Sequence, residues 1–246
     1  MLGVLFLATY SLLSGQPLRW PSRDKTLLIT GIIMCAHWVL FFYSLKYASV
    51  AIAAVSVFTY PMQTILLESL IKRKPVHITY LVLSALVAAG VILLNPEFSL
   101  DSHDSLGILF GLFSGTLLAL RNIYSKVLLS RYDPNSVYFV QVFITTMLLI
   151  PFAWQETWTA VADNVIPLLL LGFLTTTVGH LLMMKSMRFF TAGEVGLMIS
   201  GQPVSAIIIA YFLLDERPEN QVIYGALLVL LAVFISFRQI RKEQNS

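Results

Sequence analysis

The chain alternates between long apolar segments and short polar stretches. Nine segments stand out, at 2–14, 26–45, 49–71, 77–95, 106–129, 136–153, 165–187, 193–214 and 221–237. A helix of about 20 apolar residues spans the roughly 30 Å hydrocarbon core of a bilayer. The pattern therefore predicts an all-α polytopic membrane protein with nine spans, of which the first is too short to cross alone.

Composition supports this assignment. Of the 246 residues, 57% are hydrophobic and 12% are charged, with a net charge of +3. Soluble domains carry about 25% charged residues, so we expect the lipid bilayer to be the main partner. The basic residues form no tract typical of a nucleic-acid interface. The single Cys35 allows no disulfide framework and no cysteine metal cluster, and we predict neither a cofactor nor a metal.

The loop charges predict an orientation. Loops on one side hold thirteen Lys and Arg residues, and loops on the other hold two, Lys46 and Arg217. Basic residues are retained on the cytoplasmic side. The C-terminus is therefore predicted to be cytoplasmic, and the plasma (inner) membrane is the expected location. The thirteen are Arg19, Arg23, Lys25, Lys72, Arg73, Lys74, Lys126, Arg131, Lys185, Arg188, Arg238, Arg241 and Lys242.

An internal repeat relates the two halves of the chain at one constant spacing. Similar residues at that spacing are Ser44 and Ser186, Lys46 and Arg188, Tyr47 and Phe189, Ser49 and Thr191, and Pro61 and Pro203. Lys46 is predicted outside, whereas Arg188 is predicted inside. The two copies would then have opposite orientations in the membrane, as in the inverted repeats of many secondary transporters.

The repeat also predicts the domain organisation. The second copy, 106–238, has five segments and is followed by a basic cytoplasmic tail at 239–246, whereas the first copy, 1–97, has four. Two inverted five-helix repeats would make ten spans in the complete design. We therefore expect that this chain lacks the first helix of the first repeat.

Three stretches carry a resemblance to a known family. They are Phe41-Phe42-Tyr43-Ser44-Leu45-Lys46-Tyr47, Gln202-Pro203-Val204 with Leu214-Asp215-Glu216-Arg217-Pro218, and Gly179-His180 with Lys185-Ser186. Together with the repeat, they resemble the EamA-type permeases of the drug/metabolite transporter superfamily, here without the first transmembrane helix. The resemblance implies two five-helix repeats, a solute site between them and, as the family's tendency, efflux of a small metabolite.

Three classes of function were compared. A secondary transporter working by alternating access fits the repeat and the sparse polar groups within the spans. A membrane-embedded enzyme would need a catalytic set such as His-Glu-x-x-His or Gly-x-Ser-x-Gly, and neither occurs in the chain. A non-transporting membrane subunit is the third class. We predict a transporter of a small-molecule solute and no enzyme, and a homodimer is left open.

Arg121 is the first candidate site residue, because an ionisable side chain inside the bilayer costs several kcal/mol. With the adjacent Asn122 it would bind an anionic group of the solute. The alternative is an arginine that extends toward the inner interface. Gly107, Gly111, Gly115 and Ala119 recur at every fourth position before it, which predicts a face for close helix packing.

Further polar and aromatic residues within the spans are candidates for the solute site. Gln63, Gln141 and Gln202 would give it a polar lining, and Trp38 and Tyr60 would form its walls; contacts between helices are the alternative for each. Pro61 and Pro203 are predicted to lie mid-helix and to bend their helices as hinges.

Three ionisable residues are candidates for ion coupling. His37 and His180 lie near the middle of their segments and could carry protons, or they could be neutral imidazoles that bond neighbouring helices. Glu68 is the third candidate, and its alternative is an ion pair with Lys72 one helical turn later.

Overall fold

The computed structural model describes residues 2–15, 18–20, 24–73, 75–94, 102–153, 158–199 and 201–244. About 85% of the described residues are helical, and no strand occurs in the described ranges. The predicted loop positions Arg23 and Lys74 lie outside the described residues.

Fourteen helical elements follow one another along the described chain. They are α1 Leu2–Ser14, α2 Lys25–Tyr47, α3 Val50–Val57, α4 Tyr60–Ile71, α5 Ile78–Leu94, α6 His103–Leu129, α7 Pro134–Ala153, α8 Trp158–Asp163, α9 Val165–Leu170, a π-helical segment Leu171–Gly179, α10 His180–Ser186, α11 Ala192–Met198, α12 Gln202–Leu214 and α13 Asn220–Gln244.

Six helical stretches of the described chain are long and apolar enough to cross a membrane. They are Lys25–Tyr47, Val50–Ile71, His103–Leu129, Pro134–Phe152, Val165–Ser186 and Asn220–Gln239. The apolar helices α1, α5 and α12 are shorter. The protein is therefore a multi-pass membrane protein, and the count of nine spans remains a prediction.

The distribution of exposed residues fits a bilayer. Large apolar side chains lie on the surface, among them Leu12 and Leu13 at 84% exposure, whereas Arg121, Asn122 and Gln141 are fully buried. A soluble protein shows the reverse preference, because charged side chains are almost never buried in it unless they are paired. Lipid stabilises the apolar surface, and the polar groups are collected inside.

The chain packs as two compact units, and each combines separate parts of the sequence. Unit 1 contains residues 1–35 and 124–191, and unit 2 contains residues 36–123 and 192–246. The boundaries fall within α2 and α6, so these units differ from the predicted sequence repeats. The repeat boundaries at 1–97 and 106–238 remain a prediction.

Unit 1 is built around α1 and α10, each of which contacts both α7 and the π-helical segment. A methyl group added at Gly172 would lie 2.9 Å from Leu2 Cβ, so α1 approaches the segment's backbone closely. The rings of Phe6 and Phe173 meet edge to face with centroids 5.5 Å apart. Thr177 Oγ1 donates to the Gly172 carbonyl at 2.8 Å, and its hydroxyl is thereby satisfied inside an otherwise apolar helix.

Unit 2 has an apolar core between α3, α5 and α13. Its buried members include Ile52, Val55, Leu83, Val87 and Val229. Helix α12 packs on α3, α4 packs on α11, and α5 packs on α13. By the repeat spacing, α3 is equivalent to α11, α4 to α12 and α5 to α13. The contact of α3 with α12 is therefore equivalent to that of α11 with α4, and the contact of α5 with α13 is equivalent to itself.

In unit 2, each helix of the second copy begins the same number of residues after its equivalent in the first copy. That number is also the separation between Ser44 and Ser186 in the sequence repeat. The paired first residues are Val50 and Ala192 for α3 and α11, Tyr60 and Gln202 for α4 and α12, and Ile78 and Asn220 for α5 and α13. Two non-glycine residues with positive φ, Arg73 and Asp215, both at 51°, have the same spacing. The starts of three successive helices therefore agree with the spacing of the predicted repeat, and the inverted repeat itself remains a prediction.

Pro61 lies within the apolar helical stretch Val50–Ile71, as the second residue of α4, which two residues separate from the end of α3. Pro203 is likewise the second residue of α12. Proline is favoured in the first helical turn because its missing N–H would have no partner there. The predicted span 49–71 thus consists of α3 and α4, and the predicted span 193–214 contains α11 and α12. The bend and the hinge role of the two prolines remain predictions.

Helices α5 and α13 run antiparallel with their backbones in close contact. A methyl group at Gly90 would lie 2.8 Å from the Gly225 carbonyl oxygen and 2.9 Å from Val229. One at Gly225 would lie 2.5 Å from the Gly90 carbonyl oxygen and 3.0 Å from Leu94. Later residues of one helix thus meet earlier residues of the other, which is the antiparallel order.

Candidate functional site

Arg121 and Asn122 lie on the part of α6 that belongs to unit 2. Both residues are 0% exposed, and the Arg121 guanidinium donates from Nη1 to Asn122 Oδ1 at 3.3 Å. An arginine that extends to the interface would leave its guanidinium exposed, and Arg121 does not. The cation is held inside the helical bundle of its unit, where only polar groups can stabilise it.

Tyr60 is one of the largest fully buried side chains and interacts electrostatically with Arg121. It is the first residue of α4 and is 0% exposed. Gly196 of α11 admits the Tyr60 ring, since a methyl group there would lie 3.0 Å from the ring and 3.4 Å from the hydroxyl. A side chain at position 196 would displace the hydroxyl.

Four buried polar atoms of unit 2 lack a hydrogen-bond partner among the described residues. They are Ser56 Oγ, Tyr60 Oη, Gln63 Oε1 and Asn122 Nδ2. Native structures leave few such atoms, because an unmade buried hydrogen bond costs about 1–3 kcal/mol. These residues lie on α3, α4 and α6 of the same unit. Together with Arg121 we call them the Arg121 cluster and take them as the candidate solute site.

The predicted small-residue face of α6 is confirmed as a packing surface. Gly107 contacts Ala48, and a methyl group at Gly111 would lie 2.6 Å from Ser56 Cβ. At Gly115 a methyl group would lie 2.8 Å from the Val57 carbonyl oxygen. The Gln63 side chain lies beside Gly115 and donates from Nε2 to Thr59 Oγ1 at 2.8 Å.

His37 bonds α2 to α6 within unit 2. Its Nδ1 donates to the Ser114 carbonyl at 3.0 Å, and Ser114 Oγ donates to the His37 carbonyl at 3.0 Å. The imidazole is 6% exposed. This arrangement has the geometry of the interhelical alternative. Trp38, the next residue, is half-buried.

Gln141 belongs to unit 1 and occupies a separate polar cluster. Its Nε2 donates to Thr30 Oγ1 at 2.9 Å and to Ser125 Oγ at 3.0 Å. All three side chains are at most 1% exposed. The amide thus joins α2, α6 and α7, and the structure places it in a different unit from Arg121.

His180 also belongs to unit 1. Its Nδ1 donates to the Thr175 carbonyl at 2.9 Å, and its ring stacks on Tyr138 with centroids 6.0 Å apart. The Tyr138 hydroxyl donates to the Thr176 carbonyl. Both side chains therefore bond carbonyls of the π-helical segment, a form of helix that is often found at functional sites. His37 and His180 lie in different units.

Two candidates lie away from the Arg121 cluster. Glu68 forms the predicted ion pair with Lys72 on the exposed end of α4. Gln202 is exposed at the start of α12. The described residues contain no group of His, Cys, Asp and Glu that could hold a metal ion.

Ser56 and Ser114 were not among the predicted site residues. Each is a small hydroxyl residue within an apolar run, where its polarity contributes little to a hydropathy pattern. A signal was nevertheless present, because Ser114 follows Gly111 by one helical turn on the face of α6 that was predicted to pack. A hydroxyl on such a face meets a neighbouring helix, as in membrane proteins generally.

The comparison with family models identifies the chain. The model described as the EamA-like transporter family matches residues 1–95 and 105–238. The chain belongs to the EamA-like transporter family. This confirms the resemblance, and the family's name points to transport rather than to an enzyme.

Curated relatives and a solved structure agree with membership in the EamA-like family. The chain is 22% identical over 230 residues to an uncharacterized transporter, YwfM, of Bacillus subtilis, covering 92% of this chain and 76% of that protein. It is 21% identical to the S-adenosylmethionine uptake transporter of Rickettsia prowazekii, covering 92% and 76%. It is 25% identical to the pseudopaline exporter CntI of Pseudomonas aeruginosa, covering 53% and 45%.

A solved crystal structure shares the fold of the EamA-like chain. It superposes with a TM-score of 0.73 at 14% sequence identity and covers 98% of this chain and 85% of the other. At that identity the likeness concerns the fold alone. It shows that nearly all of the chain adopts an arrangement of helices that experiment has observed.

Proposed function

We propose that the protein is a secondary transporter that moves a small metabolite across the plasma membrane by alternating access, with its C-terminus in the cytoplasm. Membership in a transporter family favours this over a membrane-embedded enzyme or a non-transporting subunit. Among the relatives, one is named for uptake and one for export. We retain efflux as the direction.

The symmetry of unit 2 supports alternating access. Equivalent helices begin at one constant spacing along the chain, and α5 and α13, which are equivalent, run antiparallel. Two repeats of opposite orientation can exchange conformations, which opens a central site to one membrane face and then to the other. The two interrupted spans lie at equivalent places in this design, and Pro61 and Pro203 are the proposed hinges.

The Arg121 cluster carries the proposal for the solute. A guanidinium, the Tyr60 hydroxyl and the Asn122 amide N–H groups are all donors, and the latter two have no bonded acceptor among the described residues. Donors gathered around a buried cation suit a carboxylate or another anionic group. We therefore propose an organic anion as the substrate, with Arg121 as its principal contact.

The other candidate residues receive different proposed roles. Gln63 would line the site beside Tyr60, and Trp38 would form a wall. His37 remains the proposed proton carrier near the cluster. We propose that Gln141, His180, Gln202 and Glu68 act in helix contacts or at the surface, because Gln141 and His180 bond unit 1 helices, Gln202 is exposed and Glu68 pairs with Lys72.

A ligand screen by thermal unfolding of the detergent-purified protein tests the proposal. The ligands are anionic metabolites, amino acids and lipophilic cations, each added at a series of concentrations. A ligand at a hundredfold excess over its dissociation constant stabilises the folded state by about 2.7 kcal/mol. We expect organic anions to raise the melting temperature and to be transported by proteoliposomes that contain the protein.

Variants of Arg121 locate the site. In Arg121→Leu the anion-dependent stabilisation should be lost, while Arg188→Leu, in an exposed loop, should retain it. Arg121→Lys keeps a positive charge and should retain weaker binding if the leucine variant fails to fold. Stabilisation by cations alone, or anion stabilisation that survives in folded Arg121→Leu, would contradict the assignment.

A further inference from the structure

Glu216 joins the end of one helix to the beginning of another in unit 2. Its carboxylate accepts the Val50 N–H at 3.0 Å and 3.2 Å through its two oxygens. Its own backbone N–H donates to the Ala210 carbonyl in the last turns of α12 at 3.3 Å. The side chain completes the start of α3, and the backbone completes the end of α12. We call this arrangement the Glu216 bridge.

Helix α3 needs an acceptor from elsewhere. The first N–H groups of a helix have no partner within it. Ser49 Oγ accepts the Ile52 N–H at 3.3 Å, but the first turn of α3 contains no acidic residue. Glu216 provides an acceptor for Val50 and also places a negative charge at the positive end of the helix dipole.

The equivalent helix of the other repeat is different. Helix α11 carries Glu194 in its own first turn, and that residue is 6% exposed. By the repeat spacing, the equivalent residue of α3 is Ile52. Thus α11 has a carboxylate of its own, whereas α3 takes one from the other repeat.

The position equivalent to Glu216 is also different. By the same repeat spacing it is Lys74, which lies outside the described residues. A lysine side chain has three donors and no acceptor, so it cannot bond a backbone N–H. If the two repeats exchanged conformations, this contact could not form by the same chemistry on the opposite membrane face.

We propose that Glu216 is a positioning residue that stabilises the state closed at the membrane face where α3 begins and α12 ends. The inference rests on the proposed alternating access, and the loop charges predict that this face is the outer one. To open this face, the end of α12 must leave the start of α3, which breaks the bridge. Because a lysine at the equivalent position cannot accept a backbone N–H, the bridge favours one of the two states and shifts the equilibrium between them.

Cysteine accessibility in membrane vesicles tests the bridge. The background is Cys35→Ala, which removes the single cysteine. One reporter is Ala54→Cys, in α3 one turn beyond the bridge, and the other is Ala192→Cys, at the start of α11; these residues are 5% and 1% exposed. A membrane-impermeant maleimide labels the first from the outside of right-side-out vesicles and the second in inside-out vesicles.

Glu216→Ala should raise the labelling rate of Ala54→Cys about tenfold, the effect of losing one hydrogen bond to a charged group. Labelling of Ala192→Cys should fall by up to about twofold, because molecules that open one membrane face close the other. Glu216→Gln keeps an acceptor oxygen without the charge and should be intermediate. The matched control is Glu219→Ala in the same loop, whose carboxylate accepts from the nearby Gln221 side chain and which should leave both rates unchanged.

A merely structural role gives a different result. Loosening of the bundle would raise labelling at both reporters or lower the melting temperature without a reciprocal change, and either outcome overturns the proposal. The proposal is also overturned if Glu216→Ala leaves the labelling rates of both reporters unchanged while the parent protein transports solute. Failure of the parent protein to move any solute would instead count against the proposed function.

Discussion

The half-helices α3–α4 and α11–α12 begin at equivalent positions, yet they have different surroundings. At the start of α4, Tyr60, Pro61 and Met62 are all buried. At the start of α12, Pro203 is buried, but Gln202 on one side is exposed and Val204 on the other is 41% exposed. Near the end of α12, Phe212 and Leu213 are 77% exposed, as lipid-facing residues are.

The difference shows that the repeat preserves backbone geometry more closely than side-chain function. Both interruptions have proline as the second residue of the new helix, because that position requires no N–H. The residue before each proline is free to diverge. Tyr60 carries a buried hydroxyl in the Arg121 cluster, whereas Gln202 faces outward, so the proposed solute contacts come mainly from one copy.

The largest expected contrast is in packing, and it can be measured at two glycines. Gly115→Ala would place a methyl group 2.8 Å from the Val57 carbonyl oxygen. Overpacking costs about 1–3 kcal/mol, which exceeds the helix-propensity gain of about 1 kcal/mol. We expect a net loss of up to about 2 kcal/mol in the free energy of unfolding, measured by thermal unfolding.

The matched control is Gly201→Ala, just before α12, where no atom lies within 4 Å of the new methyl group. Its stability should change by no more than about 0.5 kcal/mol. Equal losses at both positions would remove the packing difference between the two copies.

The second contrast concerns the polar atoms. Tyr60→Phe removes a buried hydroxyl that has no bonded partner among the described residues. Removing such a group should raise the free energy of unfolding by about 1 kcal/mol. The same change should weaken binding of the anionic ligand about tenfold, since the hydroxyl is a proposed contact.

Gln202→Leu at the equivalent position should leave ligand affinity unchanged. Thermal unfolding with and without ligand provides both quantities. If Tyr60→Phe destabilises the protein and leaves affinity unaltered, the hydroxyl is a structural group and the Arg121 cluster loses one of its donors.

The smallest contrast concerns the start of α3. Ser49→Ala removes the acceptor of the Ile52 N–H, whose bond is 3.3 Å long. Loss of an N-cap acceptor costs about 0.5–2 kcal/mol, and a long bond favours the lower value. Ser205→Ala, on the exposed surface of α12, removes a serine hydroxyl that caps no helix and should have no measurable effect. A comparable loss there would indicate that the effect of Ser49→Ala does not come from capping.

The apolar segments could be predicted from sequence because burial in lipid imposes one simple requirement, a long run of apolar residues. The interruptions before Tyr60 and Gln202 could not be located in the same way. Proline is compatible both with a bend inside a helix and with the first turn of a new one, and the choice depends on contacts with other helices. The two compact units were also missed, since their boundaries fall within α2 and α6, where the hydropathy does not change.

The candidate site was predicted in part. Arg121 and Asn122 were noticed because a charge inside an apolar run is costly, and both are fully buried. Gln202 was selected because it flanks Pro203, and it is exposed. Hydropathy and repeat symmetry give the depth of a residue in the membrane, but they do not give the direction of its side chain around the helix.

The contact between Gly90 and Gly225 has a consequence for the evolution of the chain. Replacing Gly90 or Gly225 by alanine would place a methyl group 2.8 Å or 2.5 Å from the carbonyl oxygen of the other glycine. No side chain therefore lies between the two backbones. Enlarging one residue cannot be compensated by shrinking the other, because neither can become smaller. We therefore expect these two positions to be constrained together in other family members, while the exposed neighbours Ala88 and Ala89 vary freely.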